Sequence, residues 1–265
     1  MEKKNKPTAV VVGGSSGIGF ETCLRLANRG WIVFNVSRTP CQSPKVRNEI
    51  ADVAAGNTLS DVIKSIGESK GIDVLVYCAG FSMAAPIEHA KESDYRYLFD
   101  VNFFGALKAM QACIPFMKQK GGKIILVGSL GGDVPILYDA FYSASKAALE
   151  MLAKEAYCEL KPYGIGVTAF LPGGTATGFT QKRKVYSDEE NKNYADSVSR
   201  AAAALSSMEQ NGMSPAAVAE DIYAVILSDK PPVVKASGFK NSAYRIVSHI
   251  MPEKVTLYFD TRAFR

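Results

Sequence analysis

"TAVVVGGSSGIGFETCLRLANRG" spans Thr8–Gly30, and the fold turns on how it is read. "TAVVVGG" is a continuous apolar run broken by glycines, as expected of a strand buried on both faces and so of a parallel sheet. "GIGFETCLRLANRG" changes the period: Ile18, Cys23, Leu24, Leu26 and Ala27 fall at helical spacing, and Gly30 is the stop. Between them lies "GGSSGIG", Gly13–Gly19. Small residues let the backbone approach a diphosphate there, and the free N–H groups and positive end of the helix neutralise its charge. As a bare pattern, this is also what a tight strand-to-helix turn looks like.

The alternation continues outward. "WIVFNVS", "IDVLVYCAG" (Ile72–Gly80), "GKIILVGS" (Gly122–Ser129), "IGVTAFLPG" (Ile165–Gly173) and a short "PPVVKASG" read as strands. Helical stretches are expected at about Leu59–Lys70, Ser93–Gln119, Tyr142–Lys161 and Pro215–Ser228. The expected fold is α/β: one doubly wound, mostly parallel sheet of about seven strands with helices on both faces. No repeat or linker divides the chain, so 1–265 is read as one domain. Residues 174–212 form a polar insertion after a strand's carboxyl end, where a lid would sit, and 239–265 form a C-terminal extension.

Composition narrows the function. The 265 residues are 47% hydrophobic, enough for a sizeable core. A net charge of +5, scattered along the chain, does not point to nucleic acid and suits a small anionic ligand. Five separated cysteines without a CxxC argue against a disulfide scaffold or a zinc site, and a reducing cytoplasm is the default. "MEKKNKPTA" has no apolar core of a signal peptide, and no apolar run approaches the roughly 18 to 20 residues of a spanning helix.

The chemistry concentrates in "YSASK", Tyr142–Lys146. Tyr142 and Lys146 stand four apart on one helix face. An ammonium beside a phenol favours the phenolate and is expected to lower the Tyr142 pKa, tuning it to exchange a proton with a carbonyl oxygen.

With the glycine spacing GxxxGxG, this pattern resembles the short-chain dehydrogenase/reductase family. The family's Asn-Asn-Ala-Gly turn appears as "YCAG", with Ala79 and Gly80 kept and Tyr77 and Cys78 in place of the asparagines. Cys78 is then expected to be a buried small hydrophobe. The resemblance covers roughly residues 8 to 237 and implies four catalytic residues. Tyr142 is the acid or base, Lys146 lowers its pKa and bonds the nicotinamide ribose, Ser129 orients the substrate oxygen, and Asn102 of "VNFFGAL" holds a water in the proton relay. It also implies a cofactor site of Gly13, Ser15, Ser16, Gly17, Ile18, Gly19, Asp52, Val53, Ala79, Gly80, Tyr142, Lys146, Pro172, Gly173, Thr175 and Thr177.

"FNVSRTPCQSPKV" (Phe34–Val46) selects the cofactor. An NAD site places a carboxylate after the second strand. Ser37 and Arg38 stand there instead, and a 2′-phosphate meets a hydroxyl and a guanidinium. NADP(H) is the expected cofactor. Seven residues separate Arg38 from the third strand near Val46, too few for the usual crossover helix, and Pro40 and Pro44 discourage one. A loop is expected in its place.

Phe81, Met83, Val134, Ile136, Leu137, Phe179 and Tyr186 are expected to line an apolar substrate pocket, with Lys182, Arg183 and Lys184 a solvated run. "CAGFSMAAPIEH", "VNFFGAL" and "PGGTATGFT" resemble hydroxysteroid and retinol dehydrogenases, which implies a small lipophilic alcohol or ketone. The alternatives are a 3-oxoacyl-(acyl-carrier-protein) reductase, which needs a basic docking patch, and a non-catalytic NADP(H) sensor, which would have lost Tyr or Lys. Pro252 is expected to split the tail into two short helices that pack on their own domain or a neighbouring subunit, with a membrane surface as the alternative. The family implies a homodimer or homotetramer.

Overall fold

The computed structural model describes residues 6–186 and 193–263. The chain opens with β1 (Thr8–Val12), α1 (Gly17–Asn28), β2 (Ile32–Ser37) and β3 (Arg47–Ile50). Then come α2 (Thr58–Lys70), β4 (Val74–Tyr77), the short β5 (Met83–Ala84), α3 (Glu92–Phe99) and α4 (Gly105–Met117). β6 (Gly122–Val127), α5 (Ala140–Leu160), β7 (Ile165–Leu171) and the short β8 (Lys184–Val185) follow. α6 (Ala195–Gln210), α7 (Pro215–Leu227), β9 (Val234–Ala236), α8 (Gly238–Ile250) and α9 (Glu253–Ala263) complete it.

Seven strands form one parallel sheet in the order β3-β2-β1-β4-β6-β7-β9, a Rossmann fold. Alternate residues of the strands feed two cores. Val10, Val12, Leu75, Ile124 and Leu126 pack against α2, α4 and α5 on one face. Val11, Val74, Val76 and Ile125 pack against α1 and α7 on the other. The order of strand addition reverses between β1 and β4, and that switch point opens a crevice at the strands' carboxyl ends.

The loop expected between β2 and β3 is present, with no helix. Asn48 closes it: its Oδ1 accepts from the Cys41 N–H (2.8 Å) and Asn35 Nδ2 (2.9 Å), and its Nδ2 donates to the Cys41 carbonyl (3.2 Å). Buried Cys41 and Val46 fill the space a crossover helix would cover.

The helical stretch expected over Ser93–Gln119 forms, with a π-helical turn at Asp100–Phe104 joining α3 to α4. One reading needs correction. The 174–212 segment is more than a polar loop: β8 pairs in parallel with β5, and α6 follows, while 187–192 lie outside the described residues. The tail does split at Pro252 into α8 and α9.

Candidate active site

The crevice is one cavity of about 1100 Å³. At its phosphate end, α1 starts at Gly17 and the Ser16 hydroxyl makes no cap, so the first N–H groups of the helix remain available. Gly13, Ser15, Ser16, Gly17, Ile18 and Gly19 all line the cavity. The glycines are required by space. A Cβ on Gly19 would collide with the Gly13 carbonyl, and Gly13 itself has φ +83°. Lys182 reaches across from the 174–212 segment and donates to Ser16 Oγ at 3.2 Å. These residues fit a dinucleotide: a close-approach glycine cradle, open amides and a nearby cation.

Ser37, Arg38, Asp52 and Val53 line the adenosine end. Arg38 is exposed, and its Nη1 lies 3.4 Å from the Tyr97 hydroxyl. Ser37 is turned inward, its hydroxyl 2.6 Å from the Thr39 carbonyl and 3.0 Å from Asn35 Oδ1. It has one proton to give and both partners are protein, so Arg38 is the group left to meet a 2′-phosphate. The expected pairing of the two residues reduces to one. Asp52 Oδ1 accepts from the Ala54 N–H (3.0 Å), which fixes the turn.

Ala79, Gly80, Pro172, Gly173, Thr175 and Thr177 line the middle of the cavity. Thr175 Oγ1 donates to the Gly173 carbonyl (3.0 Å), and Thr177 packs beside Gly17. Cys78 also lines the cavity, but burial pushes its thiol up to about 12, so it stays protonated. Tyr77 replaces the family's asparagine brace: its buried hydroxyl donates to the Val101 carbonyl at 2.5 Å and ties β4 to the π-turn.

Ser129, Tyr142 and Lys146 converge at the inner end. Ser129 follows β6 and accepts from the Gly131 N–H (3.0 Å). α5 presents Tyr142 and Lys146 on the cavity side. Lys146 is 4% exposed, its Nζ donates to the Val127 carbonyl (2.9 Å), and burial lowers its pKa to about 8. The expectation of a lowered Tyr142 pKa is overturned for the protein alone. Burial raises the phenol, the hydrogen bond with Ser129 lowers it, and Asp139 and Glu209 raise it further. Lys146 Nζ stands 5.7 Å from the ring centre. Desolvation outweighs a partly neutralised ammonium that bonds Val127 instead of the phenol.

Asn102 does not line the cavity. It is fully buried in the π-turn, where its Nδ2 donates to the Phe81 carbonyl (3.0 Å) and Ser145 Oγ (3.0 Å) and its Oδ1 accepts from the Phe81 N–H (3.1 Å). Both Nδ2 protons are spent on these bonds, while Oδ1, with one acceptance, keeps a second acceptor site for the water that the family pattern implies. Asn102 locks α5 against the wall of the site.

Among the expected substrate residues, Phe81, Val134, Ile136 and Phe179 line the cavity. Met83 and Tyr186 stand behind the wall, buried in a cluster with Tyr142 against which Phe81, Ile136 and Phe179 pack, Tyr186 bonding the Lys91 N–H (2.8 Å) and Asp94 (2.7 Å). Leu137 is not in the wall. Arg183 corrects the idea of a solvated run. It is 8% exposed and lines the cavity, bonded to Ser82 Oγ (2.8 Å), Ser206 Oγ (3.2 Å) and Glu209 Oε1 (2.6 Å). Sequence reading missed Asp139 and Glu209, both in the wall. Asp139 stands one turn before Tyr142. Its Oδ1 accepts from the Met83 N–H (3.1 Å), and burial raises its carboxyl to about 7. The tail was missed as a part of the wall: Asn241, Tyr244, Phe259 and Ala263 line the cavity. No period or motif flagged these residues.

Comparison with known proteins agrees with this geometry. A family model described as "short chain dehydrogenase" matches residues 7–187. A 3-ketodihydrosphingosine reductase of Bacteroides thetaiotaomicron is 34% identical over 227 residues, 84% of this chain and 84% of that protein. An NADPH-dependent 1-acyldihydroxyacetone phosphate reductase of Saccharomyces cerevisiae is 27% identical over 95% of this chain and 89% of its own. The crystal structure of a short-chain dehydrogenase from Streptomyces avermitilis superposes with a TM-score of 0.80 at 24% identity, covering 96% of this chain and 94% of that one.

Proposed function

The chain belongs to the short-chain dehydrogenase family, and on that premise we propose that it interconverts a ketone and a secondary alcohol on a lipophilic substrate, favouring reduction of a keto-lipid. One observation carries the reading: Tyr142 and Ser129 stand at the end of a cavity whose substrate arm is walled by Phe81, Val134, Ile136 and Phe179.

The cofactor is NADP(H). Arg38 meets no competing carboxylate after β2, and the yeast relative is named for NADPH. When bound, the nicotinamide supplies or accepts the hydride. The chain's own residues do the rest. The amides of 17–19 and Lys182 hold the diphosphate. Ser129 and Tyr142 share the substrate oxygen. Tyr142 gives its proton to that oxygen in reduction and takes it back in oxidation, and its raised pKa keeps it protonated for the reductive direction. Lys146, at about 8, still carries charge at neutral pH and stabilises the phenolate left behind. The apolar arm excludes water from the transfer.

The substrate is narrower than the motifs alone suggest. The stretches that resemble hydroxysteroid enzymes put Phe81 and Phe179 in the cavity wall and leave Met83 and Asn102 outside it, so they supply an apolar wall common to lipophilic substrates and no contact particular to a steroid. The Bacteroides relative is named for a linear keto-lipid, and the apolar arm accommodates one. A carrier-protein substrate is less favoured. Arg183 points inward to Glu209, Lys184 pairs with Asp94 (2.5 Å) and Lys182 faces Ser16, so these cations form no open patch. Exposed Phe104 and Met151 on the long helices suit the family's homodimer or homotetramer contact.

The test is NADPH and NADH oxidation by the purified protein against 3-ketodihydrosphingosine, a steroid ketone and an acetoacetyl thioester. The expected result is NADPH-dependent reduction of the keto-lipid, lost in Tyr142→Phe while NADPH still binds. Turnover of the thioester alone overturns the substrate reading, and substantial residual activity in Tyr142→Phe overturns the mechanism.

A further inference from the structure

α8 is amphipathic with its faces reversed. Phe239, Ala243, Ile246, Val247 and Ile250 recur at helical spacing along one stripe of about 100°. Such a stripe ordinarily faces the core. Here it faces out: Phe239 is 87% exposed, Ile246 60%, Val247 50% and Ile250 78%. The polar face turns to the domain instead. Arg245 donates to Asp133 Oδ2 (2.6 Å) and Glu150 Oε1 (3.1 Å), and Asn241 Nδ2 donates to Met213 Sδ (3.9 Å). These bonds fix the helix's rotation, so the outward apolar stripe is set by the fold. α9 adds Tyr258 (55%) and Phe259 (61%) to the exposed apolar surface.

We propose that the α8–α9 surface seats the protein on an anionic lipid bilayer, with the mouth of the cavity turned toward the lipid. Two observations choose this occupant. The exposed charges of the helix pair, among the described side chains, are Lys240, Lys254 and Arg262 against Glu253. Cations beside an apolar stripe match an anionic headgroup layer. The second observation is continuity with the site: Tyr244 of α8 and Phe259 and Ala263 of α9 line the cavity. A lipophilic substrate therefore passes from bilayer to cavity without crossing water. That delivery role rests on the keto-lipid reading, whereas adsorption to lipid does not.

The experiment is flotation of the purified full chain with phosphatidylcholine vesicles, with and without phosphatidylglycerol, beside light scattering for oligomeric state. The wild type is expected to float with the phosphatidylglycerol vesicles and to be released by salt. Phe239→Ser/Ile246→Ser/Ile250→Ser is expected to lose partitioning by about tenfold or more. Lys240→Glu/Lys254→Glu is expected to lose the preference for phosphatidylglycerol. Both variants should keep wild-type melting and wild-type turnover of a short, water-soluble ketone. Absence of wild-type flotation overturns the proposal. So does a triple-serine variant that floats unchanged, or one that instead breaks an oligomer, which would assign the stripe to a second copy. If no ketone is turned over but flotation is intact, the functional reading fails and the membrane surface stands.

Discussion

Tyr77 donates its hydroxyl to the Val101 carbonyl at 2.5 Å, across the gap between β4 and the π-turn that carries Asn102. Both partners are buried. Tyr77→Phe removes the donor and leaves a buried carbonyl without a partner, which costs about 1–3 kcal/mol. Urea denaturation should record that loss. An unchanged midpoint means the π-turn is held by other contacts.

Arg38 is the cation available for a 2′-phosphate once Ser37 is committed to Thr39 and Asn35. Arg38→Asp should lower kcat/KM for NADPH by roughly 10- to 100-fold, the worth of a charged hydrogen bond. NADH should be affected far less. Equal losses on both cofactors would refute this role.

Lys146 titrates at about 8, below its ordinary 10.5, because it is buried. Above pH 8 the folded chain holds fewer protons here than the unfolded chain, so this residue's contribution to stability rises between pH 8 and 10.5. Function moves the other way, because the charge that stabilises a phenolate disappears. We expect kcat/KM for the cofactor to fall above about pH 8, and Lys146→Met to abolish that limb along with most activity. A flat profile to pH 10 in the wild type contradicts the assignment.

Asp139 is 1% exposed, its Oδ2 has no partner, and its carboxyl is raised to about 7. The folded chain binds this proton more tightly than the unfolded one, so stability is lost as pH rises from about 4 to 7. Asp139→Asn keeps the acceptor for the Met83 N–H and removes the charge. Relative to wild type, it should gain stability at pH 8 over pH 5, because the wild type alone carries the buried charge at the higher pH. Thermal melts at pH 5 and pH 8 compare the two, and a variant that loses stability only at pH 8 would oppose the burial argument.

Much of this protein was legible in one dimension because its signals are local. The strand periods, the "GGSSGIG" turn, the i, i+4 pair of Tyr142 and Lys146, and the two prolines after Arg38 constrain neighbouring backbone, which needs no distant partner to take shape. Seven parallel strands and a crossover without a helix followed from them. The family pattern placed Ser129 beside Tyr142, but the chemistry of the site was settled by packing. A pKa depends on what surrounds a group in space, so only the tertiary structure could place Tyr142 among burial, Ser129, Asp139 and Glu209, and so raise a phenol that the sequence said to lower. Arg183 looked like one of three solvated cations until α6 brought Glu209 to it. The tail was expected to pack on its own domain or a neighbouring subunit, with a membrane surface as the alternative, because periodicity gives a helix two sides without saying which side meets the domain. The bonds from Arg245 to Asp133 and Glu150, 112 and 95 residues away in sequence, made that choice.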